Sequence, residues 1–286
     1  IRMKNKIEAR EKKRLEKLKE REKKRGNYTE TIEYKSDVKC KKTFKNFILI
    51  EEVWTESDII HRDDDKPAII LYFENGNKRG ESWVRYGRLA RRYDSNPSII
   101  VYFENNQIKL EDWRHLISRE NDLPLEINYH QNGHKSKECW CSSTREFLKC
   151  RIDGPCIITY HENGCIKYEE RHMNRKKHNH GDKPAIIEYF QNGKIKHEEW
   201  YENDEMYRDN ENNLPVWIHY YESGVLQSEK WFQREYKNSP QSIEYYENGM
   251  ISYSVIKDSI RNTTTRTSYF KTGMLHIIDF SQKIGL

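Results

Sequence analysis

The chain has 286 residues, 35% of them hydrophobic and 34% charged, with a formal net charge of +5. That is too little apolar material for one large globular core and suits a thin array in which much of every unit faces water. No apolar run approaches the roughly 18 residues that a transmembrane helix needs, and no apolar signal core stands at the N-terminus.

The charge is unevenly placed. Residues 1–25 hold 13 Lys/Arg against 5 Glu, net +8, and the remainder holds 38 against 41, net −3. The run from Met3 to Arg25 lacks Gly and Pro and is rich in strong helix formers. Glu8–Lys12 and Glu20–Lys24 are favourable i,i+4 pairs, and Met3, Ile7, Leu15 and Leu18 fall on one stripe. Residues 1–26 therefore read as a basic charged helix: a solvated spacer, a helix docking a partner through its stripe, or an arm for nucleic-acid phosphates. The candidate polyanion contacts are Lys12, Lys13, Arg14, Lys23, Lys24 and Arg25, with Lys41 and Lys42 just beyond. The interleaved glutamates weaken that field.

Residues 27–66 read as a degenerate cap hairpin. "TIEY", with Ile32 and Tyr34, supplies its first strand and "ILIEEVW", ending at Trp54, its second. The turn between them is enlarged by "KSDVKCKKTFKNF".

Over 67–256 one phrase recurs. Pro67, Pro97, Pro124, Pro155, Pro184, Pro215 and Pro240 are each followed at a fixed distance by Gly76, Asn106, Gly133, Gly164, Gly193, Gly224 and Gly249. Trp83, Trp113, Trp140, Arg171, Trp200, Trp231 and Ile256 then follow, again at a fixed distance. Only the connector to the next proline varies, from 8 to 14 residues. A fixed hairpin with an elastic connector is the signature of a stacked repeat. The Asn-Gly pair predicts a two-residue type I′ turn. Alternation then sets Ile187 opposite Glu198 and Tyr189 opposite Lys196, with Ile, Tyr and Trp sharing one buried face. Glu52, Glu81, Glu111, Glu138, Glu169, Glu198 and Glu229 recur on that face. They read as acceptors for backbone or Tyr hydroxyl groups, because an enzyme needs unlike residues in unlike roles at one place. The sixth position after each proline carries Phe73, Phe103, His130, His161, Phe190, Tyr221 and Tyr246. This aromatic row either docks other proteins or lies under the connectors. Residues 257–286 hold a degenerate C-terminal cap on the same frame, with Tyr269, Gly273 and Phe280.

The cysteines show no disulfide framework, which favours a reducing compartment. Cys139, Cys141, Cys150, Cys156 and Cys165 contain no Cys-x-x-Cys pair and read as ordinary repeat substitutions. The histidines of "HMNRKKHNHGD" at 172–182 sit in a connector. No catalytic or metal site, cofactor or small-molecule substrate follows from any motif. The fold expected is all-β, an elongated array of about nine stacked hairpins.

"YFENG", "YHENGCIKYEE", "YFQNGKIKHEEW" and "YYENGM" resemble MORN-type repeats. The variant is the one found in bacterial antitoxin-like proteins and in giant DNA viruses of amoebae. The resemblance implies a ribbon of successive hairpins, non-enzymatic protein–protein scaffolding, and a place in the host-cell cytoplasm or a virion. A nucleic-acid-associated adaptor, holding RNA or DNA through the basic helix, is the alternative.

Overall fold

The computed structural model describes residues 16–34, 37–91, 95–113, 115–116, 122–141, 151, 154–174, 176–179, 181–208, 214–231, 239–258 and 263–282. A short exposed helix occupies 16–24. Of its expected apolar stripe, Leu18 is exposed and the other three residues lie outside the described residues. After the helix, the regular elements among the described residues are all antiparallel strands joined by turns and connectors. The chain divides into two units, residues 1–119 with 126–133, and residues 120–125 with 134–286.

In the first unit Tyr28–Glu33, Val38–Lys45 and Ile48–Glu56 pair in succession. Ile69–Tyr72, Lys78–Ser82, Ile99–Tyr102, Ile108–Asp112 and Glu126–Tyr129 continue the antiparallel order. In the second unit the order runs Lys135–Cys139, Ile157–Tyr160, Ile166–Glu170, Ile186–Tyr189, Ile195–Glu199, Trp217–Tyr220 and Leu226–Lys230. Ser239–Tyr245, Ile251–Asp258, Thr263–Tyr269 and Leu275–Gln282 complete it. These last strands hold seven or eight residues against four or five in the hairpins before them. The lengthening begins where Ile256 replaces the tryptophan and the strand runs on past that point.

The N-terminal hairpin departs from expectation. Part of the segment expected as its enlarged turn is itself a strand, Val38–Lys45, paired on both sides. Its alternation explains this, because Cys40 is fully buried while Lys41 faces water. A tight turn at Asn46 and Phe47, with φ of 51° and 63°, leads into the next strand. Gly26 is required beside it. Its φ is +79°, it accepts from the Phe47 N–H at 2.9 Å, and a Cβ there would lie 2.5 Å from that nitrogen.

The repeated turn also differs from expectation. Phe190 N–H bonds the Lys194 carbonyl at 2.9 Å and Gly193 N–H bonds the Phe190 carbonyl at 3.0 Å. The loop is thus three residues, Gln191, Asn192 and Gly193, and only the glycine has positive φ. This is a type I turn closed by a left-handed residue, not the two-residue type I′ form. Tyr189 consequently faces Ile195 rather than Lys196, and a bulge then restores the expected pairing of Ile187 with Glu198. The asparagine is needed for its side chain. Asn192 Oδ1 accepts from Lys194 N–H at 2.9 Å, as Asn75, Asn163 and Asn248 do for Asn77, Cys165 and Met250. Their amide groups reach the next turn, Asn163 to the Gln191 carbonyl at 3.2 Å and Asn248 to the Lys271 carbonyl at 2.9 Å.

Type I′ geometry appears instead in the connectors. Short arms pair Val84–Arg85 with Arg88–Leu89 and Tyr201–Glu202 with Glu205–Met206. The second arm turns at Asn203 and Asp204, with φ of 52° and 71°. The tightest burial lies beside these arms. The residues directly after the prolines, Ala68, Ser98, Leu125, Cys156, Ala185 and Val216, are at most 1% exposed. Trp83, Trp113, Trp140 and Trp200 are buried with them.

Candidate functional site

Cross-strand register places the recurring isoleucines and glutamates in one line. Glu169 faces Ile187, which faces Glu198, which faces Ile218, which faces Glu229. The same alternation runs Glu52, Ile70, Glu81, Ile100, Glu111 in the first unit. A carboxylate between two aliphatic side chains is costly unless it is bonded. The tyrosine of the following hairpin supplies the bond. In the first unit Tyr102 and Tyr129 donate to Glu81 and Glu111, each at 2.6 Å. In the second, Tyr160 donates to Glu138, Tyr220 to Glu198 at 2.9 Å and Tyr245 to Glu229 at 2.7 Å. Lys78 and Lys135 bond the other oxygen of Glu81 and Glu138 at 2.6 Å. Burial first, and the neighbouring carboxylate second, push the hydroxyls of Tyr102, Tyr160, Tyr220 and Tyr245 well above the usual phenol range. The tyrosines therefore keep their protons and donate hydrogen bonds to the glutamate carboxylates. The ladder expected from the sequence is present, and its recurring carboxylates have a structural task.

Sequence reading missed a second recurring device. An arginine lies over the tryptophan ring, with Arg62 at 3.8 Å from Trp54, Arg91 at 3.9 Å from Trp83 and Arg208 at 4.0 Å from Trp200. Each donates to the carbonyl of the next proline, Pro67, Pro97 and Pro215, at 3.0 to 3.1 Å. Arg91 also pairs with Asp65, and Arg208 with Asp182, both two residues before an earlier proline. Asp182 is held below the usual carboxylate range by that bond. The signal was available, since Arg62, Arg91 and Arg208 each stand eight residues after their tryptophan.

The aromatic row at Phe73, Phe103, His130, His161, Phe190, Tyr221 and Tyr246 is half-buried throughout. Three of its polar tips bond the neighbouring hairpin. His161 Nε2 lies 3.1 Å from the Tyr189 carbonyl, and Tyr221 and Tyr246 donate to the carbonyls of Tyr245 and Tyr269 at 2.8 Å. Their hydrogen-bonding capacity is thus engaged along the array.

Among the basic candidates, Lys12, Lys13 and Arg14 lie outside the described residues. Lys23, Lys24 and Arg25 are exposed at the end of the helix, and Lys41 is exposed on its strand. Lys42 is half-buried and paired with Glu52 at 3.4 Å, which removes part of its attraction for an anion. No described helix is long and apolar enough to cross a membrane.

Among the described residues a broadly exposed apolar surface runs from Met274, just before the last strand, onto Leu275–Gln282. Phe280 is 71% exposed, Met274 64%, Ile277 55% and Leu275 53%. Successive residues of a strand point to opposite faces, so apolar groups stand on both. The strand pairs with Thr263–Tyr269 on one side, and its other edge bonds no strand among the described residues. Ile278 occupies the place held elsewhere by the Tyr-accepting glutamate, and Phe280 that of the tryptophan.

No protein-family model and no curated protein matches this chain. The MORN resemblance therefore rests on the motif residues alone. Among solved structures the chain is similar to a crystal structure of TcdB2–TccC3, with 12% identity and a TM-score of 0.19. The likeness covers 81% of this chain and spans 14% of that one.

Proposed function

We propose that the chain is a non-enzymatic repeat scaffold that binds another protein through its last strand. The partner adds an extended apolar segment along the free edge of Leu275–Gln282. The observation that carries this reading is the exposed apolar surface on both faces of a strand whose outer backbone groups bond no strand among the described residues. Such an edge is a template for strand addition. A Tyr-bearing repeat is a poor occupant, because Ile278 offers its hydroxyl no acceptor. A second copy fits less well too. Self-pairing centred on Ile277 or Ile278 sets Asp279 against Leu275 or Ile277, and pairing with Tyr28–Glu33 of a second copy would bring Glu30 and Glu33.

The test is purification from the native source at low salt, followed by hydrogen exchange on the chain with and without the protein that co-purifies. The partner should slow exchange over 275–282, and Ile277→Lys with Phe280→Lys should abolish its retention. Retention by the double variant, protection confined to the aromatic row, or a dimer of the pure chain that the double variant dissociates would each overturn the proposal.

A further inference from the structure

We infer that Cys141, Cys156 and His172 form a binding site for a thiolate-preferring divalent cation of the Zn2+ class. One ligating atom from each lies within 4.8 Å of the others. The residues come from three segments: Cys141 directly follows Trp140, Cys156 directly follows Pro155, and His172 directly follows Arg171 in the tryptophan position of the next hairpin.

The repeat explains why they meet. Trp140 N–H bonds the Cys156 carbonyl at 2.9 Å, and Cys156 N–H bonds the Glu170 carbonyl at 2.7 Å. The residue after a proline is thus held between the two that follow successive tryptophan positions. The same bonds recur at Trp54, Ala68 and Ser82, at Arg171, Ala185 and Glu199, and at Trp200, Val216 and Lys230, so these copies bring three such positions together. At 55, 68 and 84 they hold Thr55, Ala68 and Val84, and at 172, 185 and 201 they hold His172, Ala185 and Tyr201. Only at 141, 156 and 172 are all three metal-ligating residue types. Taken singly each cysteine looks like a neutral substitution, whereas convergence in one place gives a Cys₂His set.

The chemistry around the set is appropriate. Two thiolates and one imidazole suit Zn2+ and leave the fourth tetrahedral position to solvent. Two sulfurs on one Zn2+, each bonded at about 2.3 Å, stand about 3.8 Å apart. Closing to that separation is within reach of side-chain rotation at Cys141 and His172, which are only half-buried. Cys156 is fully buried and provides the fixed point. Glu170 engages His172 Nε2, the carboxylate–imidazole contact that orients a ligating histidine and leaves Nδ1 as its basic nitrogen. The other candidate set, Glu56, His61 and Asp63, lacks this logic. Tyr86 N–H points at His61 Nδ1, so Nε2 carries the proton and donates it to the two carboxylates.

The test is Co2+ titration of the full reduced chain, followed by Zn2+ displacement. One equivalent should bind, with tetrahedral visible bands and a thiolate-to-cobalt charge-transfer band, and Zn2+ should bleach both. Cys156→Ala recreates the residue of Ala68 and Ala185, and Cys141→Val that of Val84, so both variants should keep the metal-free melting temperature. Each should lose stoichiometric binding, and Glu170→Gln should weaken it about 10- to 100-fold. Absence of the charge-transfer band in the native chain would overturn the site, since it leaves only connector histidines as ligands. So would binding that survives Cys156→Ala.

Discussion

Tyr220→Phe removes one hydroxyl and nothing else from the ladder. That hydroxyl donates at 2.9 Å to Glu198, whose strand neighbours on either side are Ile187 and Ile218. A hydrogen bond to a charged acceptor contributes about 1.5–3 kcal/mol net, and Glu198 is half-buried, so water recovers part of the loss. The expected cost is about 1–2 kcal/mol. Tyr221→Phe, next in sequence, removes a bond to the neutral Tyr245 carbonyl and should cost about 0.5–1.5 kcal/mol. The decisive measurement is a double-mutant cycle of Tyr220→Phe with Glu198→Gln, read by urea unfolding and by hydrogen exchange at 186–189 and 217–220. The bond joins two successive hairpins, so the coupling should appear as an interface term of about 1 kcal/mol. Tyr245→Phe with Glu198→Gln, which belong to different Tyr–Glu pairs, should be additive. A Tyr220–Glu198 coupling below about 0.3 kcal/mol would refute the view that these pairs hold successive hairpins together.

Because Tyr102, Tyr160, Tyr220 and Tyr245 have phenol pKa values raised above their unfolded value of about 10, their stabilisation is complete below that pH. It should disappear as pH climbs toward the raised values, and a urea midpoint that stays flat well above pH 10 would contradict this. Arg208→Lys should destabilise by about 1–2 kcal/mol, because an ammonium cannot stack on Trp200 while it forks between Pro215 and Asp182. The Asp182 contribution has the opposite pH sense. Its lowered pKa stabilises above the ordinary aspartate value and is lost as pH falls through the lowered one, so Arg208→Lys should flatten the acid limb of the stability profile. Gly193→Ala should cost about 1 kcal/mol through its φ of +81° alone, since a Cβ there meets nothing within 4 Å. Gly193→Asn should cost less, as Asn106 already holds that turn position at φ +67°.

The strand order, the shared face of Ile and Glu, and the Tyr–Glu ladder were legible because the frame repeats without slipping. What escaped was chemistry that alternation does not encode. Asn-Gly suits a type I′ turn, but the bond from Asn192 Oδ1 to the Lys194 N–H favours the three-residue loop, and the bulge then hides the difference from the pairing beyond it. The Trp–Arg stack joins residues on opposite sides of a connector arm, and the arm is where the sequence varies most. Val38–Lys45 was hidden by its lysines, three of which, Lys39, Lys41 and Lys45, stand on the face opposite Cys40 and Phe44 and resemble a loop only by composition. The meeting of Cys141, Cys156 and His172 required knowing which positions of successive hairpins converge.

The Tyr–Glu bonds give the array a polarity. In the pairs Tyr102–Glu81, Tyr129–Glu111, Tyr220–Glu198 and Tyr245–Glu229 the hydroxyl points backward to the preceding hairpin and the carboxylate reaches forward, so the two sides of such a repeat are complementary to each other rather than to themselves. Two repeats can dock in one orientation only. When a whole repeat is excised, the tyrosine that follows the cut meets a glutamate equivalent to the one it lost. Such a chain can grow or shrink by entire units during evolution while its lateral bonding stays intact, and an insertion of any other size is confined to the connectors.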